Sequence, residues 1–412
     1  MSLSPTGRAA ALLEEVLSLL SSRTFTARTA FFLTILTLGD PSLILASRKP
    51  KRVRLKPAAI LRFKSNPKPK PQKAPTRGPW RVPTYADSTE GDRLEGEDLV
   101  VRRAAVDALN GMNGTVVVAD PHSGRILSIV NQKLAFKDGY QPCSTVKVPV
   151  ALAALSETIV ERTTPIRLYG KTTMTLTEAL AKSNNQYFAG LGQKLGFDRV
   201  SYYAHLFGLG EKAGFNIEQE RAGILPPSTP RNGIGMMTSF GDGIALTPLE
   251  LTALIGAVAN GGTLYYLQYP ESSGESITPR VKRQLDIEML IPEIRPGMAG
   301  AVEYGTARRI GFDPDEPIFG KTGTCTDSRT PTHLGWFGSF IERGNEKLVV
   351  TVLLTGAKGV SGPAAAGVAG NVYKNLDAAS YFQQLHTTVP VAKTDHFGFE
   401  NPAVRISPQS LR

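Results

Sequence analysis

Pro142-Cys143-Ser144-Thr145-Val146-Lys147-Val148-Pro149-Val150-Ala151-Leu152-Ala153-Ala154-Leu155 decides how this chain is read. From Ser144 to Val160 almost every residue is apolar, and a helix apolar on every side lies inside a domain. Pro149 fits such a helix only in or close to its first turn. The spacing therefore puts Ser144 at the helix N-terminus. Lys147, three residues on, shares its face. Serine at this place is also an ordinary N-cap, and lysine is usually a solvated surface residue. A lysine in the first turn of an apolar helix is not, because an unpaired buried charge is costly.

Around this helix the chain reads as an α+β domain. Asp98 to Leu109 has apolar residues at helical spacing and is closed by Asn110-Gly111. Gly114 to Asp120 and Arg125 to Val130 flank Pro121-His122-Ser123-Gly124, which makes an antiparallel hairpin. Its first strand is apolar throughout and belongs in the middle of a sheet. Thr177 to Leu195 is a second helical pattern, with Ser183 and Asn185 early in it. Pro248 to Asn260 is a third, closed by Gly261-Gly262. Later, Lys321 starts a strand, Leu334 to Glu342 and Lys347 to Leu354 read as two more, and Ala364 to Leu385 is helical. No internal repeat is present.

The 412 residues carry a formal charge of +11, which suggests a nucleic-acid partner until the charge is located. Thirteen Lys/Arg and no Asp/Glu lie between Arg48 and Arg81, and subtracting them from +11 leaves −2 for the rest. The basic character thus belongs to a Pro-rich, extended spacer and not to a folded binding face. A tether to anionic lipid or wall polymer is the alternative for that spacer. Before it, Ala30 to Leu38 resembles the apolar region of a signal peptide or short anchor. It is short and interrupted, and the cations after it disfavour export. The organisation expected is 1–47, an N-terminal segment; 48–95, a basic linker; 96–386, the α+β domain; and 387–412, a polar tail.

Three motifs fall in order: Ser144-Thr145-Val146-Lys147, Ser183-Asn184-Asn185 and Lys321-Thr322-Gly323-Thr324. As S-x-x-K, S-x-N and K-T-G they form the signature of serine acyl transfer on D-Ala-D-Ala or β-lactam substrates. With Val118-Ala119-Asp120-Pro121, Gly124 to Leu127, Gly243 to Leu249 and Val302 to Ala307, the segment from about Asp98 to Leu385 resembles the transpeptidase domain of penicillin-binding proteins. That domain is related in fold to serine β-lactamases. The resemblance implies a central antiparallel sheet with a helical subdomain carrying S-x-N. It implies Ser144 as nucleophile, Lys147 as its base, and Ser183 as the proton shuttle to the leaving amine. Asn185 would donate to the substrate amide and position Lys147. Lys321 and the Thr322 and Thr324 hydroxyls would hold the substrate carboxylate. Gly323 would let the substrate backbone approach, and the Ser144 and Thr324 N–H groups would form the oxyanion hole.

The implied partners are a peptidoglycan stem peptide, β-lactams as covalent inhibitors and other cell-wall synthesis proteins. No nucleic acid, metal or cofactor is expected. The implied setting is extracytoplasmic, with the N-terminus as a membrane anchor. Cys143 precedes the nucleophile and Cys325 follows Thr324, an arrangement resembling the disulfide beside the active site of some carbapenem-hydrolysing β-lactamases. It implies a Cys143–Cys325 bridge, which suits an oxidising compartment. A serine β-lactamase and a β-lactam-sensing domain acylated without turnover are the alternatives. Against the first, Glu218 and Glu220 do not match the E-x-x-L-N pattern of class A hydrolases, and Asn184 stands where those enzymes have Asp.

Overall fold

The computed structural model describes residues 81–383 except 171, 273–274, 312, 328 and 345. The expected anchor, most of the basic spacer and the C-terminal tail lie outside these residues. The Asp98 carboxylate accepts from the N–H groups of Val100 and Val101 and starts α1 (Leu99–Leu109), which ends on Asn110 in the left-handed region. Then come β1 (Gly114–Ala119), β2 (Ile126–Val130) and the short α2 (Gln132–Ala135). A 3-10 turn over Cys143–Val146 leads into α3 (Lys147–Ser156), with Pro149 in its first turn as expected. A two-residue-strand hairpin, β3 (Ile166–Arg167) and β4 (Thr173–Met174), precedes α4 (Leu176–Ala181) and α5 (Asn185–Leu206). The middle of the chain holds α6 (Ile234–Phe240), α7 (Pro248–Asn260), β5 (Thr263–Tyr265), β6 (Val281–Gln284) and α8 (Ile291–Glu303). The last elements are β7 (Ile318–Thr326), β8 (His333–Arg343), β9 (Glu346–Gly356) and α9 (Gly362–Ala378).

Five strands form one antiparallel sheet in the order β2-β1-β9-β8-β7. β1 is therefore internal, and its apolar sequence has a simple cause: both faces are covered. Val116 and Val118 pack with α1 and α9, while Val117 and Ala119 pack with the helical middle of the chain. In β9, Val350, Val352 and Leu354 join the first layer and Val349 and Leu353 the second. β7 is left at the edge of the sheet, beside the turn that carries Ser144. Residues 84–95, on the linker side of the expected boundary, are tied to this body. Asp92 accepts from Arg102, Asn131 and Gln132, and Thr84 accepts from the N–H groups of Asn113 and Ala357 through its carbonyl and hydroxyl.

Two helical expectations need correcting. The pattern from Thr177 to Leu195 is not one helix: α4 stops at Ala181 and α5 starts at Asn185. Ser183 sits in the joint at φ 55°. The joint is a Schellman closure, with Ser183 N–H donating to Leu180 O and Asn184 N–H to Ala179 O. Asn184 then caps α5 by accepting from Tyr187 N–H at 2.9 Å. Apolar periodicity continues across such a joint, so it reads as a single helix. The last helix likewise breaks after Ala378, with Ser380 in the left-handed region; helical residues resume at Tyr381–Gln383, and Leu385 lies outside the described residues.

Candidate active site

α3 is so placed that Lys147 is fully buried, and Ser144, on the 3-10 turn before it, is 8% exposed. Lys147 Nζ lies 2.9 Å from Ser144 Oγ, 2.6 Å from Asn185 Oδ1, 2.8 Å from Ser183 O and 3.1 Å from Ser183 Oγ. Phe188, one helical turn beyond Asn185, lies under the same nitrogen at 5.6 Å. No carboxylate bonds to it among the described residues. Burial without a counter-charge pushes the Lys147 amine down to about 7.

A neutral amine has two N–H groups and one lone pair. Asn185 Oδ1 and Ser183 O can only accept, so they take the two N–H groups. The lone pair is then left for a hydroxyl hydrogen, and Ser144 Oγ is in reach to supply it. Such an amine can take the proton of an alcohol, which is the activation that a serine nucleophile requires.

Lys321 is also fully buried, and its Nζ lies 2.8 Å from Ser183 Oγ and 2.9 Å from Thr322 O. Burial and, after it, the nearby Lys147 amine hold Lys321 well below the usual lysine range. Ser183 Oγ thus stands between two amines, which makes a continuous path Ser144–Lys147–Ser183–Lys321. The left-handed Ser183 is what aims both its carbonyl and its hydroxyl at Lys147.

Strand alternation sorts the third motif. Lys321, Gly323 and Cys325 face the turn that carries Ser144, while Thr322 and Thr324 face the other way, towards the start of α9. Thr324 is exposed, and its Oγ1 accepts from Gly362 N–H at 2.7 Å. Thr322 is buried, and its hydroxyl shares a 2.5 Å hydrogen bond with Thr306, a residue to which the sequence reading gave no role. So Lys321 is on the Ser183 side and the two hydroxyls are on the α9 side, rather than grouped.

The requirement for Gly323 also has a source inside the protein. A Cβ there would come within 2.9 Å of Pro142 O and 3.2 Å of the Thr145 methyl. The glycine lets β7 lie flat against the turn bearing Ser144. Trp336, paired with Gly323 on β8, donates its indole N–H to Gln141 O at 2.9 Å and fixes that turn from below.

Cys143 and Cys325 form a disulfide with Cα atoms 5.5 Å apart. It joins the residue before Ser144 to the residue after Thr324. Cys143 itself has φ 52°, a conformation an L-residue holds only when its surroundings insist. The two glutamates weighed as hydrolytic bases are otherwise occupied. Glu218 is exposed, and buried Glu220 accepts from the N–H groups of Ala213 and Gly214.

Comparison with known proteins agrees with this geometry. Residues 114–376, more than half of the chain, match the penicillin binding protein transpeptidase domain. Stage V sporulation protein D of Bacillus subtilis is 28% identical over 282 residues, which is 60% of this chain and 44% of that protein. Peptidoglycan D,D-transpeptidase MrdA of Haemophilus influenzae is 24% identical over 348 residues, 65% of this chain and 54% of that protein. The chain thus spans about half the length of these two relatives.

Among solved structures, Pseudomonas aeruginosa PBP2 in complex with WCK 5153 superposes with a TM-score of 0.59 at 23% identity, covering 69% of this chain and 78% of the other. Penicillin-binding protein A from M. tuberculosis, an imipenem acyl-enzyme complex, gives 0.56 at 25% identity, covering 68% and 78%. With its three motifs converging on one buried lysine pair, the chain belongs to the penicillin-binding protein transpeptidase domain family.

Proposed function

We propose that this chain is a serine D,D-transpeptidase, or D,D-carboxypeptidase, acting on peptidoglycan stem peptides through an acyl-enzyme on Ser144. The observation that carries the reading is the Lys147 amine, buried with no counter-ion among the described residues and 2.9 Å from Ser144 Oγ.

In this mechanism the neutral amine takes the Ser144 proton as Oγ bonds to the carbonyl carbon of the penultimate D-Ala. The carbonyl oxygen gains the charge and faces the N–H groups of Ser144 and Thr324. The C–N bond then breaks. The departing D-Ala nitrogen takes a proton from the Ser183 hydroxyl, which is re-supplied by Lys147, now an ammonium. Asn185 keeps Lys147 in place through Oδ1 and has its amide N–H left for the substrate. The Thr324 hydroxyl, with Thr322 beside it, receives the substrate carboxylate, and buried Lys321 adds its field through Ser183. An amine of a second stem peptide, or water, attacks the ester and returns Ser144.

A β-lactam enters by the same first step, but its leaving nitrogen stays tethered in the opened ring, so the ester persists. Retention of the ester is supported by the surroundings of Lys147, where no carboxylate among the described residues bonds to the amine and stands ready to activate a water. An extracytoplasmic setting is supported by the disulfide. In that setting the basic segment 48–81 serves as a spacer along an anionic membrane or wall.

The test is a time course with a fluorescent penicillin and a chromogenic cephalosporin, run beside Ser144→Ala. Stable labelling of the parent with negligible turnover is expected. Fast turnover would convert the reading to a β-lactamase, and equal labelling of Ser144→Ala would end it.

A further inference from the structure

Along the segments that flank the disulfide the surface forms an open concavity of about 760 Å³. That is within the size range of sites for drug-sized ligands, but its lining is polar where such sites are mostly apolar. None of Ser144, Lys147, Ser183 or Asn185 lines it. Its walls are the two segments leading to the bridge: Gly139-Tyr140 runs on to Cys143, and Asp327 follows Cys325. Arg329 closes the space between them by donating to Gly139 O.

The floor is buried and polar. Asp327 is 5% exposed and Thr355 is 2% exposed. Among the described residues the Thr355 hydroxyl has no hydrogen-bond partner, an omission that folded proteins rarely leave without a ligand or water to fill it.

The lining as a whole is charged, with four cations and, counting the buried Asp327, four anions. Two opposed pairs are already made, Arg329 with Asp327 at 3.7 Å and Arg221 with Asp138 at 3.5 Å. Lys133, Lys137 and Glu90 are exposed and make no ion pair among the described residues. A lining of balanced sign attracts neither a polyanion nor a polycation. It complements a molecule that carries both charges, and the buried Thr355 hydroxyl within it suits a peptide backbone.

We propose that this cavity binds a zwitterionic peptide, separately from the peptide that reacts at Ser144. Identifying that peptide as a second stem peptide rests on the transpeptidase reading, whereas the binding itself does not. The cavity is lined by Gly139, Tyr140 and Asp327, which adjoin the segments that hold Ser144 and Thr324.

The probe is the tetrapeptide L-Ala-D-Glu-L-Lys-D-Ala with free termini, which has both charges and no D-Ala-D-Ala bond to react. Calorimetry is run on the full chain in two forms, Ser144 acylated by benzylpenicillin and Ser144→Ala. Saturable binding with the same Kd in both forms is expected. The double variant Lys133→Glu/Lys137→Glu should weaken it about tenfold or more while leaving penicillin labelling and the melting temperature unchanged. Thr355→Val should weaken it several-fold. The proposal is overturned if binding is not saturable, if the double variant binds as the parent does, or if a capped, uncharged form of the peptide binds equally well. A parent that penicillin fails to label refutes the transpeptidase reading instead, and the Ser144→Ala titration still decides the cavity.

Discussion

Replacing Asn185 by aspartate puts a negative charge where Lys147 Nζ now meets a neutral amide oxygen at 2.6 Å. The two side chains have the same shape, so the change is almost purely electrostatic. The amine of Lys147 is held at about 7 by burial alone. An opposite charge at contact favours the charged form by about 1–3 pKa units. At pH 7 the neutral fraction then falls from about one half to between about a tenth and a thousandth. Because the base works only when neutral, acylation rises with pH. The Asn185→Asp variant should therefore acylate about 5- to 500-fold more slowly at pH 7.

The assay is the second-order rate of labelling by a fluorescent penicillin between about pH 5.5 and 10. The parent's ascending limb should have its midpoint near 7, and the variant's should lie about 1–3 units higher, with the deficit shrinking on the alkaline side. The alkaline plateau can also drop, since the introduced carboxylate has no N–H to offer the substrate, so the limb's position is the diagnostic. If the midpoint stays while the rate falls by a constant factor, Lys147 is not the base and the reasoning fails. Stability gives a second check. A lysine whose folded-state pKa lies below its unfolded value of about 10.4 takes up a proton on unfolding. The parent should thus gain stability as pH rises from about 7 to about 10.4, and the variant should gain less.

Three further outcomes are expected. The Cys143–Cys325 bridge spans 182 residues, and loop-closure entropy assigns such a link up to about 5 kcal/mol. Reduction, or Cys143→Ser with Cys325→Ser, should lower stability measured by denaturant titration by about 2–5 kcal/mol and slow penicillin labelling; unchanged labelling would show that the bridge does not position Ser144. Glu250 is 1% exposed and accepts from the N–H groups of Gly210, Glu211, Gly223 and Thr247. Glu250→Ala strands these donors and should cost about 3 kcal/mol or more in thermal or urea unfolding, and a cost below about 1 kcal/mol would contradict that role. Gly323→Ala places a methyl group 2.9 Å from Pro142 O, so β7 must move off the turn that carries Ser144. Labelling should fall at least about tenfold with only a modest change in stability, about 1–3 kcal/mol, whereas parent-like labelling would mean that the close approach is not needed.

Much of this was legible in the chain because it is written in local rules. An apolar run with a proline in its first turn specified a buried α3 and set Lys147 inside it. Two strand-like runs around a turn sequence specified the β1–β2 hairpin, and a helical pattern from Pro248 closed by Gly261-Gly262 specified α7. The order of the three motifs pointed to acyl transfer before any geometry was available. The sequence did not show that Ser183 is a left-handed residue closing α4, because apolar periodicity runs through the joint unbroken. Nor did it show that Thr322 and Thr324 turn away from Lys321, or that Gly323 is required by Pro142 and Thr145. Those facts depend on which strand lies beside which turn. The properties that make the site reactive are of the same kind. A lysine amine near 7 and a hydroxyl shared by two amines exist only once segments 138 residues apart, Ser183 and Lys321, meet in a place from which water is excluded. Local sequence supplied the groups, but desolvation is a property of the packed interior, and that only the tertiary fold decided.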